Sequence, residues 1–199
     1  MWRLKEVSPT PDITLAQLCD SAGLDEKARE GANPDMPVRA WVEQLARTGM
    51  HRETVAALAQ LLPKRDTIGW GLGAVRRIQP PAAGTPAGTA LESVEHWLEN
   101  PDDERRHLAS DAAKRAGYGS PAGCLALAVF LSGGNMAPKN TAASAEPPPH
   151  LCGRTVAGSI SLAVASDPPK APQSYRAVLE DGFRLAEQTG VWKAAERRA

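Results

Sequence analysis

Three segments of the chain open with the same signal for the start of an α-helix, a residue that can cap the helix followed at once by proline. They are Thr85-Pro86, Asn100-Pro101 and Ser120-Pro121. An oxygen-bearing side chain at the cap accepts a backbone N–H that the first turn leaves unpaired, and proline is tolerated next because it has no N–H to pair. Apolar residues then recur at helical spacing, as Leu91, Val94 and Leu98 do after the first signal. Segments that alternate as strands do are absent, so the sequence predicts an all-α fold.

The same periodicity predicts about eight or nine helices in a single domain over residues 1–199. Residues 121–132 are apolar on every side, so we expect an irregular array of helices packed around this central buried helix. Residues 133–149 are rich in proline, glycine and alanine and are expected to form one long loop. Residues 191–199 are expected to be a weakly ordered tail. After a short helix that Gly23 ends, the predicted helices lie near residues 37–48, 51–62, 63–78, 86–98, 101–116, 121–132, 150–165 and 173–188.

The segment that follows the second signal is expected to be capped by Asn100. Three carboxylates then face the positive end of the helix dipole, which favours negative charge there. On this basis they are dipole partners and not a pair of catalytic acids. The expected apolar face of this helix consists of Leu108, Ala112, Ala113 and Ala116.

The balance of charge argues against nucleic acid as a partner. The chain has 23 basic and 23 acidic residues, whereas phosphate binding draws most of its affinity from a basic excess. The paired arginines Arg76-Arg77, Arg105-Arg106 and Arg197-Arg198 are expected to lie on the solvated surface. No apolar run is long enough to span a bilayer, and residues 1–6 lack the apolar stretch of a signal peptide, so a cytoplasmic protein without a membrane partner is expected.

The sequence gives no catalytic, metal or cofactor motif. Cys19, Cys124 and Cys152 are widely spaced in apolar surroundings and are expected to be buried structural thiols without a disulfide. The run Gly69-Trp70-Gly71-Leu72-Gly73 does not fit a phosphate-binding loop and is interpreted as a site of close helix packing. We therefore expect a protein that is not an enzyme. A catalytic pair using Cys124 or His150, brought together by folding, remains an alternative.

The segment from Ser132 to Pro138 allows two interpretations. The structural one is a glycine that ends the preceding helix, followed by a turn. The functional one is a loop, anchored on a rigid buried helix, that presents backbone groups to a partner.

Several stretches in order resemble a family of small uncharacterised bacterial helical proteins associated with type VI secretion gene clusters. They are Leu62-Pro63-Lys64-Arg65, the helix that ends in Arg76, Ser120-Pro121-Ala122-Gly123, Ser132-Gly133-Gly134 with Ala137-Pro138, and Pro147-Pro148-Pro149 with Thr155-Val156-Ala157-Gly158. They cover roughly residues 60–165. The resemblance implies an accessory role at a secretion locus and carries no catalytic residue.

Together these features predict a non-enzymatic interaction protein linked to type VI secretion, with secretion components as partners. An immunity-type inhibitor of a toxin is the alternative from another class. The 133–149 loop, the face of the 63–78 helix and the tail with Trp192 are the expected contact elements. The candidate partner-binding residues are Trp70, Arg76, Arg77, Gly133, Gly134, Asn135 and Pro138.

Overall fold

The computed structural model describes residues 13–33, 35–137 and 144–192. Within these residues the chain forms ten α-helices, one short 3-10 turn and no β-strand, which confirms the all-α prediction. The helices are α1 (Leu15–Ala22), α2 (Glu26–Arg29), α3 (Val38–Arg47), α4 (His51–Leu61), α5 (Lys64–Ile78), α6 (Pro86–Glu99), α7 (Asp103–Ala116), α8 (Pro121–Phe130), α9 (Leu151–Ala165) and α10 (Ala171–Thr189).

The caps at two of the three helix starts are those that the sequence predicts. The hydroxyl of Thr85 accepts the N–H of Gly88 at 3.1 Å, and that of Ser120 accepts the N–H of Gly123 at 3.0 Å. The cap of α7 is Asp102, not the predicted Asn100, which ends α6. Its carboxylate accepts the Arg105 N–H at 2.7 Å from an extended backbone, a geometry that an N-cap requires.

The core is centred on a pair of helices, α8 and α9. As expected for residues 121–132, α8 is central and packs against α5, α6, α7 and α9, but Cys124, Leu127 and Phe130 along one side of it are only half-buried. The other member, α9, also packs against α1, α4, α5 and α10, so it joins the first helices of the chain to the last. The core side chains that are almost fully buried include Trp41, Leu58, Ile68, Leu91, Trp97, Leu125 and Ile160.

Gly71 allows α5 to lie close to its neighbours, as the packing interpretation of the Gly69–Gly73 run expects, but a Cβ on Gly69 or Gly73 would meet no described atom within 4 Å. A Cβ on Gly71 would lie 2.8 Å from side-chain carbons of Leu125 on α8 and Val156 on α9. A Cβ on Gly182 of α10 would lie 2.8 Å from the ring of Trp70. These contacts hold α5 against three helices at once.

The structure differs from the sequence-based expectation at several element ends. The four-residue helix α2 was not predicted, and α8 ends at Phe130, two residues early. Val191 and Trp192 of the expected weak tail are helical and buried, while residues 193–199 lie outside the described residues. Among the helices described, none has the length and apolar character that a bilayer span requires.

Candidate functional site

The loop that follows α8 is fixed to the body of the protein at two points, Ser132 and Asn135. We call residues 131–137 the anchored loop. At its start, the backbone oxygen of Ser132 accepts a hydrogen bond from Nζ of Lys64, on the first turn of α5, at 2.8 Å. Farther along, the backbone oxygen of Asn135 accepts one from Arg106 of α7 at 2.8 Å. Two cationic side chains from different helices therefore hold this backbone.

Arg106 is completely buried, and all three nitrogens of its guanidinium group donate hydrogen bonds. Its Nε and Nη2 donate to the Asp103 carboxylate at 2.9 and 2.6 Å, which places a negative charge against it. Its Nη1 donates to the backbone oxygen of Phe130 at 2.9 Å. That carbonyl lies in the last turn of α8, where carbonyls have no partner within the helix and the helix dipole favours a cation. Arg106 therefore joins the end of the central helix to the loop that follows.

Aromatic rings flank this guanidinium. Its central carbon lies 4.8 Å from the centroid of the Phe130 ring, within the range of a cation–π contact. His107 packs edge-on against the same ring, with the centroids 5.5 Å apart, and its Nε2 lies 3.2 Å from Nη2 of Arg106. The arginine is thus held by hydrogen bonds in its plane and by packing across its face.

The backbone of the anchored loop is shaped by a glycine and an asparagine. Gly134 has a φ of 72°, and a Cβ there would lie 2.9 Å from Arg106, so both its conformation and its closeness to the arginine require glycine. Oδ1 of Asn135 accepts the N–H groups of Ala137 and Ala145 at 3.0 and 2.8 Å. Met136 donates its N–H to the Ala145 oxygen at 2.8 Å, so the chain returns beside the loop at residue 145.

One family model matches the chain, that of DUF6931, a family of unknown function, over residues 41–186. This match covers well over half of the sequence. The chain belongs to this family. No curated protein and no solved structure matches it. The DUF6931 match includes the anchored loop and both of the residues that hold it, Lys64 and Arg106.

Within the DUF6931 region, the structure separates the residues that the sequence grouped as a contact surface. Gly133, Gly134 and Asn135 lie together in the anchored loop, and Pro138 lies outside the described residues. Trp70 is only 6% exposed and donates its indole N–H to the Val178 oxygen at 3.0 Å. Its side chain belongs to the core and offers no face to a partner.

Arg76 and Arg77 lie at the opposite end of α5 from the anchored loop. Lys64 contacts the loop at the start of this helix, and twelve residues of helix correspond to about 18 Å. Both arginines are half-exposed, as predicted for the solvated surface, and both form ion pairs: Arg76 with Glu95 of α6, and Arg77 with Asp181 of α10. They tie α5 to its neighbours and do not share a surface with the loop.

The tail residue Trp192 is also buried. It is 2% exposed and stacks with Phe183 of α10, with the ring centroids 6.3 Å apart. The guanidinium of Arg39 lies over the same Trp192 ring, 5.8 Å from its centroid. The described part of the tail therefore closes the core instead of offering an exposed aromatic.

The thiols in the DUF6931 region do not have the surroundings of a nucleophile. Burial raises the pKa of Cys124 to about 11 and that of Cys152 to about 12. The Cys124 thiol donates to the Thr155 oxygen at 3.2 Å, and no group that would stabilise its thiolate lowers its pKa. A reactive cysteine has a lowered pKa, the opposite of what burial produces at these two thiols. Cys124 is partly exposed, where the sequence predicted a buried side chain.

Arg106, the side chain that holds the anchored loop to α7, was not among the predicted site residues. Arg106 was assigned to the solvated surface with Arg105, yet it is 0% exposed. The signal that could have found it is helical spacing, since Arg106 lies three and seven residues before Ala109 and Ala113 on the buried face of α7. Asp103, three residues earlier, supplies the opposite charge that a buried arginine needs.

Proposed function

We propose that the chain is a non-enzymatic, cytoplasmic interaction protein that serves a type VI secretion system as an accessory factor, and that the anchored loop is its contact with a secretion component. The observation that carries the proposal is the complete burial of Arg106 against the loop backbone. A buried ion pair contributes little net stability, and packed apolar residues often replace one without loss. We infer that Arg106 is there to specify one loop conformation.

A loop held in one conformation suits recognition, because a partner then binds it without first ordering it. The anchored loop follows a rigid helix end, with Asn135 exposed and Gly133 half-buried, a position that binding loops commonly occupy. The resemblance over residues 60–165 supports the secretion assignment, and this stretch lies inside the DUF6931 match. The three unpaired cysteines suit a reducing compartment.

The test is affinity purification of the tagged full-length chain from its native host, with the bound proteins identified by mass spectrometry. The blocking variant is Gly133→Glu. An added Cβ at Gly133 meets no atom of the described residues within 4 Å, so the new side chain projects from the loop without disturbing the core. The matched control is Gly119→Glu, at an equally open glycine in the turn between α7 and α8.

We expect the wild type and Gly119→Glu to retain a sheath, spike or other secretion component and Gly133→Glu to lose it. If all three proteins retained the secretion component equally, the result would contradict the proposal that the anchored loop is the contact surface. A purification that returns no secretion component would contradict the secretion role. A toxin in its place would favour the immunity alternative.

A further inference from the structure

A second surface of the molecule is a groove between α6 and α7, on the side of α7 away from the anchored loop. These two helices form an antiparallel hairpin, and the groove between them has a volume of about 590 Å³. Glu92, His96 and Glu99 line it from α6, and Glu104, Leu108 and Arg115 line it from α7. Leu108 is 56% exposed, the highest value for any large apolar residue described.

The groove combines this exposed leucine with an excess of negative charge. Among the described residues, none of the three glutamates forms an ion pair within the protein. Two cations also border the groove: Arg105 is engaged by Asp102, which leaves Arg115 against the three glutamates. The excess of carboxylates disfavours a nucleic acid or an anionic membrane, and it favours a basic ligand.

The dimensions fit a helix. The α6 wall runs from Thr89 to Glu99, and ten residues of helix correspond to about 15 Å, or three turns of a bound helix. A furrow between two antiparallel helices accepts the side-chain ridge of a third, and amphipathic helices bind such grooves through apolar residues on one face. Apolar contact with Leu108 would hold the bound helix in the groove. The glutamates would make the groove prefer a helix with basic side chains.

We propose that the α6–α7 groove binds a basic amphipathic helix of a partner protein, with an apolar side chain against Leu108 and lysine or arginine side chains facing Glu92, Glu99 and Glu104. This interface is separate from the anchored loop and does not depend on it. It can be tested with purified protein in the absence of any secretion component.

The probe is a synthetic helical peptide of about 15 residues, with leucines along one face and lysines beside them. Its counterpart carries glutamates in place of the lysines. Binding to the full-length chain is measured by fluorescence anisotropy for the wild type, Leu108→Ser and the double variant Glu99→Lys/Glu104→Lys. The matched control is Leu162→Ser, at an exposed leucine on α9 that does not line the groove.

We expect the basic peptide to bind at least tenfold more tightly than the acidic one, roughly the effect of one good interface contact. Leu108→Ser should weaken binding by a similar factor, Leu162→Ser should not, and the double variant should prefer the acidic peptide. The proposal is overturned if the basic peptide does not bind, if both peptides bind equally, or if the two leucine variants behave alike. Sedimentation that reveals a dimer dissolved by Leu108→Ser would assign the groove to a second copy instead, which also overturns it.

Discussion

At the scale of single residues, Arg106 decides the shape of the site. Desolvating a guanidinium costs several kcal/mol, and this cost is offset only when the group is both paired and hydrogen-bonded. Asp103 supplies the charge and is itself half-exposed, while the oxygens of Phe130 and Asn135 accept hydrogen bonds from Nη1 and Nη2 of Arg106. All of these partners lie at one end of α8, so Arg106 of α7 joins that helix end to the anchored loop.

Arg106→Lys tests this link while keeping the positive charge. Lysine cannot reproduce the planar fork, so one of the two carbonyls should lose its partner. We expect a loss of about 1.5–3 kcal/mol in the free energy of unfolding, measured in urea, together with faster amide exchange in the anchored loop. Arg105→Lys is the control, since Arg105 pairs with Asp102 at the surface. Equal effects from the two variants would show that the loop does not depend on Arg106.

The buried tryptophans differ in how their indole N–H groups are satisfied. Trp70 donates to the Val178 oxygen, whereas the N–H of Trp97 is buried without a partner in the described part of the chain. Phenylalanine removes the donor from either site with a similar loss of ring volume. We expect Trp70→Phe to cost about 1–2 kcal/mol more than Trp97→Phe in thermal or urea unfolding, because Trp70→Phe removes a buried hydrogen bond, whereas Trp97→Phe removes a donor that has no partner among the described residues. A smaller cost at Trp70 would contradict this.

The Cys124 thiol should react slowly in the native state. Its pKa of about 11 leaves little thiolate at pH 8, on the order of a hundredfold less than in a free cysteine. Because the folded state raises this pKa, the labelling rate should keep rising as the pH approaches 11. Peptide-resolved mass spectrometry after brief alkylation measures it. Rapid labelling at pH 7 would instead revive the enzyme alternative.

At the scale of helices, α5 shows why two glycines in one element have opposite roles. Gly71 faces Leu125 and Val156, with no room for a Cβ, while a Cβ on Gly73 meets nothing within 4 Å. We expect Gly71→Ala to destabilise the protein by about 1–3 kcal/mol through overpacking. Gly73→Ala should stabilise it by about 0.5–1 kcal/mol, because alanine favours the helix. Urea unfolding of the two variants measures both effects. A change of the free energy of unfolding in the same direction for both would contradict the packing of α5.

The buried face of α7 was predicted only in part from the sequence. Helical spacing placed Ala112 and Ala113 correctly on the buried side, but it placed Leu108 there as well. The structure turns Leu108 outward and Arg106 inward. Hydrophobicity alone cannot find this arrangement, because an arginine becomes a core residue only when a carboxylate and backbone carbonyls lie within its reach.

At the scale of the whole molecule, helix positions were predictable because caps, prolines and apolar spacing act within a few residues. The candidate site was only partly predictable, because the bonds that define it join residues far apart in the sequence. Lys64 and Ser132 are separated by 68 positions, and Arg106 and Asn135 by 29. The loop glycines were therefore predictable from the sequence, but the side chains that hold the loop were not. For the same reason, the prediction placed Arg76 and Arg77 on a surface with the loop, although they lie at the other end of α5.

The most direct test of the central claim is hydrogen exchange of the full-length chain, measured with and without any secretion component that the affinity purification recovers. The anchored loop is held in one conformation in the free protein, so binding should cover it without rearranging the core. We predict that amides of residues 131–137 and of Ala145 become more protected in the complex, while those of α3 do not change. Protection confined to other surfaces, with exchange in the anchored loop unaltered, would contradict the account.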